Sequence, residues 1–90
     1  MEFEWDEGKR FLNLSKHGFD FRDAPCIFDN RARVDVESDR CGEPRTISIA
    51  LLNGRVACVV WTERGDDTIR IISIRRARHA EERQYRQLFS

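Results

Sequence analysis

Residues 46–62, TISIALLNGRVACVVWT, decide the architecture. Two β-rich runs, Thr46 to Leu52 and Arg55 to Thr62, are separated only by Asn53-Gly54, the pair favoured by a two-residue hairpin turn with two positive φ angles. Such a turn fixes the register: Leu51 opposes Val56, Ile49 opposes Cys58 and Ile47 opposes Val60, so these six residues share one side of the ribbon. That side is expected to be the core. The other side carries Thr46, Ser48 and Ala50 beside Ala57, Val59 and Trp61, a shelf of mostly small residues expected to lie open to a ligand.

Downstream, a turn at Gly65-Asp66 leads into a strand from Thr68 to Ile74, with Ile72 and Ile74 on the core side and Ser73 and Arg75 on the shelf side. Arg76 to about Leu88 reads as a closing helix that turns Ala77, Ala80, Tyr85 and Leu88 inward. Upstream, Ala32, Val34 and Val36 alternate with Arg31, Arg33, Asp35 and Glu37, which predicts an edge strand. Phe3 and Trp5 alternate with acids in a short first strand, with Trp5 assigned to the core. Asp6 then caps a helix from Glu7 to His17, which Gly18 ends. Phe11, Leu12 and Leu14 are expected to supply that helix's apolar contacts. A second short helix starts at the cap Asp20 and runs through Phe28 with Phe21, Ala24 and Phe28 inward, bent or delayed by Pro25. The order β-α-α-β-β-β-β-α predicts an α+β fold, with helices packed on an antiparallel sheet.

The chain has 90 residues, room for one domain spanning 1–90. Its longest apolar run, Val56 to Trp61, is far short of the roughly 18 residues of a membrane span, and the acidic start lacks the basic end of an export signal. Cys26, Cys41 and Cys58 are odd in number and lack C-x-x-C spacing, so reduced thiols and a cytoplasmic location are expected. Sixteen basic and sixteen acidic residues cancel, but unevenly. Residues 1–43 carry eleven acids and seven bases, whereas 44–90 carry five acids and nine bases, all arginine. Guanidinium grips phosphate through two donors at once, which suits the second half to anion binding; simple solvation of a small surface is the alternative.

The run Trp5-Asp6, Lys9, Asn13, Lys16-His17-Gly18, followed by Phe21, Asp23-Ala24 and Phe28-Asp29, resembles the BrnT family. Glu43, Arg45, Thr62-Glu63-Arg64, the stretch from Arg70 to Ala77, Glu81 and Tyr85 continue the likeness, so that it covers almost the whole chain. Ile74, where the family often has a small residue, and Pro25 depart from it. The resemblance implies a RelE-like fold, ribonuclease activity as the toxin of a type II toxin-antitoxin pair, and neutralisation by a BrnA-like antitoxin. Operator DNA would be bound only through the antitoxin complex.

Cleavage of RNA without metal asks the 2′-hydroxyl to attack the adjacent phosphate, so it needs a proton acceptor, donors for the added charge and an acid for the leaving oxygen. Arg64 and Arg75 are the first candidates to stabilise that charge, with Arg45, Arg70 and Arg76 as further RNA contacts. Ion pairing with Glu81 or Glu82 is the structural alternative for Arg75 and Arg76. His17 and Lys16 are candidates for proton transfer, or else they cap the first helix. Trp61 is a candidate to stack on a base, with core packing as its alternative. His79 and Tyr85 carry weaker claims. Asp66-Asp67 and Glu81-Glu82 lack a histidine at ligand spacing and no phosphate loop can be drawn, so neither a metal nor a nucleotide cofactor is expected. An interaction module whose arginines meet an acidic partner is the non-enzymatic rival.

Overall fold

The computed structural model describes residues 1–29, 32–40 and 42–89, with the backbone only at Arg40. Arg31 of the expected edge strand and Cys41 lie outside the described residues. The elements run β1 (Glu2–Glu4), α1 (Glu7–His17), the 3-10 helix η1 (Phe21–Phe28), β2 (Arg33–Arg40), β3 (Glu43–Leu52), β4 (Arg55–Arg64), β5 (Thr68–Arg76) and α2 (His79–Phe89). The Asn53-Gly54 turn forms as expected, with φ of 54° and 78°, and sets Leu51 against Val56, Ile49 against Cys58 and Ile47 against Val60. The fold is α+β.

The strands are ordered β1-β5-β4-β3-β2, which places β2 at an edge as its alternation predicts. The sheet is mixed rather than antiparallel, because β1 pairs with β5 in parallel. A parallel partner needs a long crossover, and the elements between β1 and β5 supply one. The Met1 ammonium meets Asp67 at 2.8 Å and the Glu2 N–H donates to the Asp67 carbonyl, which fixes the chain start at the β4–β5 turn.

Sidedness differs from expectation. The side expected to be open, with Ala50, Ala57, Val59 and Trp61, is buried with Ile69, Ile71 and Ile74 under Phe19, Phe21, Ala24 and Ile27. Of the six residues assigned to the core side, only Ile49, Val56 and Cys58 are buried there, with Ala77 and Tyr85, while Leu51 is exposed. The reason lies in η1. A 3-10 turn brings every third side chain to one side, and Phe21, Ala24 and Ile27 are the three that point inward, onto the small residues of the sheet. Helix α2, one turn shorter at its start than expected, lies on the opposite side; Ala80 and Leu88 are exposed, leaving Tyr85 as its buried contact.

Helix α1 is capped at both ends as its sequence requires: the Asp6 carboxylate accepts from the Lys9 N–H, and Gly18, at φ 75°, donates to the Leu14 carbonyl. Its polarity is inverted, however. Phe11, Leu12 and Leu14, expected to pack inward, are exposed, and the buried residues are Arg10 and Asn13. Arg10 donates to Glu7 at 2.6 Å and to both carboxylate oxygens of Asp20, joining α1 to the cap of η1. Asn13 treats β5 as a neighbouring strand would. Its side-chain amide donates to the Ile74 carbonyl at 2.9 Å and its oxygen accepts from the Ile74 N–H at 3.1 Å. Thus α1 closes the edge of β5 beyond the reach of β1.

Candidate functional site

Strand β5 carries an irregularity that decides the site. Trp61 pairs with Ile71 while Val60 pairs with Ser73, so Ile72 is the extra residue of a bulge. Uninterrupted alternation would send Arg70 and Arg75 to opposite sides. With the bulge, Thr68 and Arg70 before it and Ser73 and Arg75 after it share a side, because Arg70 opposes Thr62 and Arg75 opposes Cys58 on alternate residues of β4. Arg64 follows the same alternation as Cys58, Val60 and Thr62 on β4, and Arg45 follows that of Ile47 and Ile49 on β3. Four candidate arginines, 45, 64, 70 and 75, therefore lie on one side of the sheet, with Thr62 and Ser73 among them. Helix α2 covers only the far end of that side, over Ile49, Val56 and Cys58.

Three of the four are held by carboxylates. Arg75 makes a two-pronged contact with Glu81 of α2, at 2.8 and 2.9 Å, and donates to the Arg76 carbonyl. Of its five donors, the Nε–H and one Nη2–H remain for another acceptor. Glu81 also accepts from the Arg78 N–H, so it caps α2, and from the Cys58 thiol. The Arg75 guanidinium holds the Glu81 carboxyl down at about 2, and burial pushes the Cys58 thiol up to about 12, leaving it neutral. Arg70 meets Glu4 at 2.6 Å and Arg45 meets Glu43 at 3.6 Å. The buried Nε of Arg45 has no hydrogen-bond partner among the described residues. Arg64 is exposed and has no carboxylate partner among them. Beyond the Thr46–Trp61 pair β3 and β4 part, leaving a notch of about 520 Å³ lined by Arg45, Thr62, Glu37, Asp39 and Glu63 among others. The Thr62 hydroxyl donates to the Pro44 carbonyl across it.

The other candidates stand elsewhere. Arg76 is exposed but shares the side of Ile74, opposite to Arg75. Trp61, expected to contact RNA, is a core residue: it is 7% exposed, donates to Ser48 Oγ at 2.8 Å and meets Phe28 edge-on, which leaves no ring face for a base. Lys16 and His17 end α1 beside β5, where with Lys9, Leu12, Asn13 and Ile72 they line a hollow of about 180 Å³. They stand at the edge of β5 that α1 closes, beside Ile72, and are not among the arginines. Along the β4–β5 ladder Arg64 and Arg75 are separated by about 20 Å at roughly 3.3 Å per residue, so they address different parts of a ligand. Glu81, which aims Arg75, is the ion-pair partner that the sequence offers as the structural alternative, whereas Glu4, which aims Arg70, leaves no local signal because strand pairing of distant segments brings it there. Among the described residues no group of three His, Cys, Asp or Glu side chains is placed to hold a metal ion. Among the described residues no helix is long and apolar enough to cross a membrane.

Residues 5–81 match the family described as "Ribonuclease toxin, BrnT, of type II toxin-antitoxin system". No curated protein matches the chain. Among solved structures, the chain is similar to the Brucella abortus ribonuclease toxin BrnT, with 30% identity, a TM-score of 0.73, and coverage of 88% of this chain and 99% of that one.

Proposed function

The chain belongs to the BrnT family of ribonuclease toxins, and from that premise we propose that it cleaves RNA without a metal ion, using the arginine side of the sheet. The observation that carries this reading is the bulge at Ile72, which brings Arg70 and Arg75 to the side already bearing Arg45 and Arg64. RNA lies across that side with its phosphates toward the guanidinium groups. At the scissile phosphate the 2′-oxygen forms a bond to phosphorus as the bond to the 5′-oxygen breaks. The 2′-hydroxyl proton leaves to an acceptor, and the 5′-oxygen takes one. Arg75, held rigid by Glu81, stabilises the extra negative charge through its two remaining donors. His17 and Lys16, beside Ile72 at the edge of β5, serve proton transfer. Arg64, Arg70 and Arg45 hold the flanking backbone. The protein acts in the cytoplasm, and a BrnA-like antitoxin neutralises it and carries the pair to operator DNA.

Purified protein incubated with RNA, with and without ribosomes and in the presence of EDTA, tests this directly. Cleavage is expected to persist in EDTA, to fall at least a hundredfold in a folded Arg75→Ala variant and by about tenfold in Arg64→Ala. Abolition by EDTA sinks metal independence, and full activity of both variants sinks the site. A second reading, partner binding without turnover, is favoured by one observation: three of the four arginines already hold carboxylates. No cleavage in any condition, together with loss of partner binding in Arg64→Glu, would establish it instead.

A further inference from the structure

The outer side of α1 is built unlike a solvated surface. Gly8, Phe11, Leu12 and Ser15 fall on one side at helical spacing, all are exposed, and none is charged, in a chain with 36% charged residues. Phe11 is 60% and Leu12 72% exposed, and Leu14 adjoins Phe11 at 40%. The burial of Arg10 and Asn13 explains how α1 holds to the protein, and Phe11 lays its ring against the Arg10 guanidinium at 4.4 Å, but neither accounts for the exposed Leu12 beside it. Beside Leu12 stand Lys9 and Lys16, the only lysines of the chain, whose ammonium groups have no partner among the described residues. Both line the hollow formed with Leu12, His17 and Ile72.

We propose that this side of α1 is the seat of the antitoxin, received as an acidic amphipathic segment: an apolar side chain fills the hollow against Leu12 and Ile72, and flanking carboxylates meet Lys9 and Lys16. The proposal rests on the toxin reading and names the surface through which neutralisation occurs. Charge selects the occupant. A second copy docked about a two-fold axis would bring the lysines of both copies together, and an RNA backbone would meet the lysines but leave Phe11 and Leu12 in water. A segment seated there covers His17 and Lys16, which line the hollow and which the proposed function assigns to proton transfer. Neutralisation then works by covering the proton-transfer end of the site, and the arginines need not touch the antitoxin.

The probe is the product of the gene adjoining this one, which the toxin reading expects to be a small antitoxin, coexpressed with this chain. Leu12→Glu replaces an exposed side chain and is expected to melt as the wild type does, whereas Phe11→Glu also loses the ring against the Arg10 guanidinium and is expected to stay folded with a slightly lower melting temperature. They are expected to arrest growth when expressed alone, to lose rescue by the neighbouring protein, and to bind it at least a hundredfold more weakly. Lys9→Glu is expected to weaken binding about tenfold, with Lys9→Arg restoring it. Full rescue and unchanged affinity in both α1 variants overturn the proposal, as does a wild-type homodimer that Leu12→Glu dissociates. If the wild type proves harmless, the toxin reading fails, while binding to the purified neighbour still decides the surface: affinity lost in the α1 variants supports it and affinity retained overturns it.

Discussion

At the scale of the residue, the contact between Arg75 and Glu81 does the most. One carboxylate accepts both prongs of the guanidinium, caps α2 through the Arg78 N–H and takes the Cys58 thiol. The Glu81 carboxyl lies at about 2 in the fold against an ordinary value of 4.5. Its folded value is depressed, so the stability it contributes is fully present above about 4.5 and is lost as pH falls toward 2. The Glu81→Gln variant is expected to be less stable than the wild type at pH 7 by about 1–3 kcal/mol and to converge on it near pH 2–3. Melting temperatures of the two proteins across that range check this; a gap that stays constant with pH would mean that the carboxylate's charge is not what matters. Glu81 acts on RNA only through Arg75, as a positioning residue. The Arg75–Glu81 pairing was open to sequence reasoning as an alternative for Arg75, because the two residues are six apart across a strand-to-helix turn. The link between Arg70 and Glu4 was not, since the two lie 66 positions apart.

At the scale of the element, the parts set by local chemistry were legible and those set by distant packing were not. Asn53-Gly54 announces its turn, and Asp6 and Gly18 announce the ends of α1, because each acts on backbone within four residues. The inversion of α1 was hidden. Its apolar residues read as a buried stripe, whereas what holds it is Asn13 bonded to Ile74, 61 positions away. The bulge at Ile72 was equally hidden, and it reversed the sidedness of Arg70 relative to Arg75. Asn13 satisfies both backbone groups of Ile74 and also donates to the Phe19 carbonyl. Asn13→Leu is therefore expected to cost about 2–4 kcal/mol, because it strands buried backbone groups. Phe11→Ser, a loss of apolar bulk on the same helix, is expected to change stability by less than about 1 kcal/mol. Urea unfolding of the two variants gives the comparison, and the reverse order would mean that α1 is held by its apolar side after all.

At the scale of the whole molecule, a net charge of zero conceals two sides of different character. The apolar side of α1 suits a protein, and the arginine side of the sheet suits a polyanion whose phosphates number more than any one guanidinium can reach. Because Arg45, Arg70 and Arg75 already hold carboxylates, their contribution to long-range attraction is partly cancelled, and Arg64 carries the least compensated charge of the four. Binding to single-stranded RNA should release about 0.7 counterions per phosphate contacted, so the logarithm of affinity should fall with the logarithm of salt at a slope of that size per contact. Arg64→Gln is expected to reduce the slope by about 0.7 and to weaken binding without regard to base sequence. Trp61→Phe separates surface from core. It removes the hydrogen bond to Ser48, so it should lower the melting temperature and leave the slope unchanged. Fluorescence titrations of a short RNA at several salt concentrations measure both. A slope unaffected by Arg64→Gln would move the RNA off the arginine side, whereas an affinity lowered by Trp61→Phe in folded protein, at unchanged slope, would bring the buried ring back as a contact.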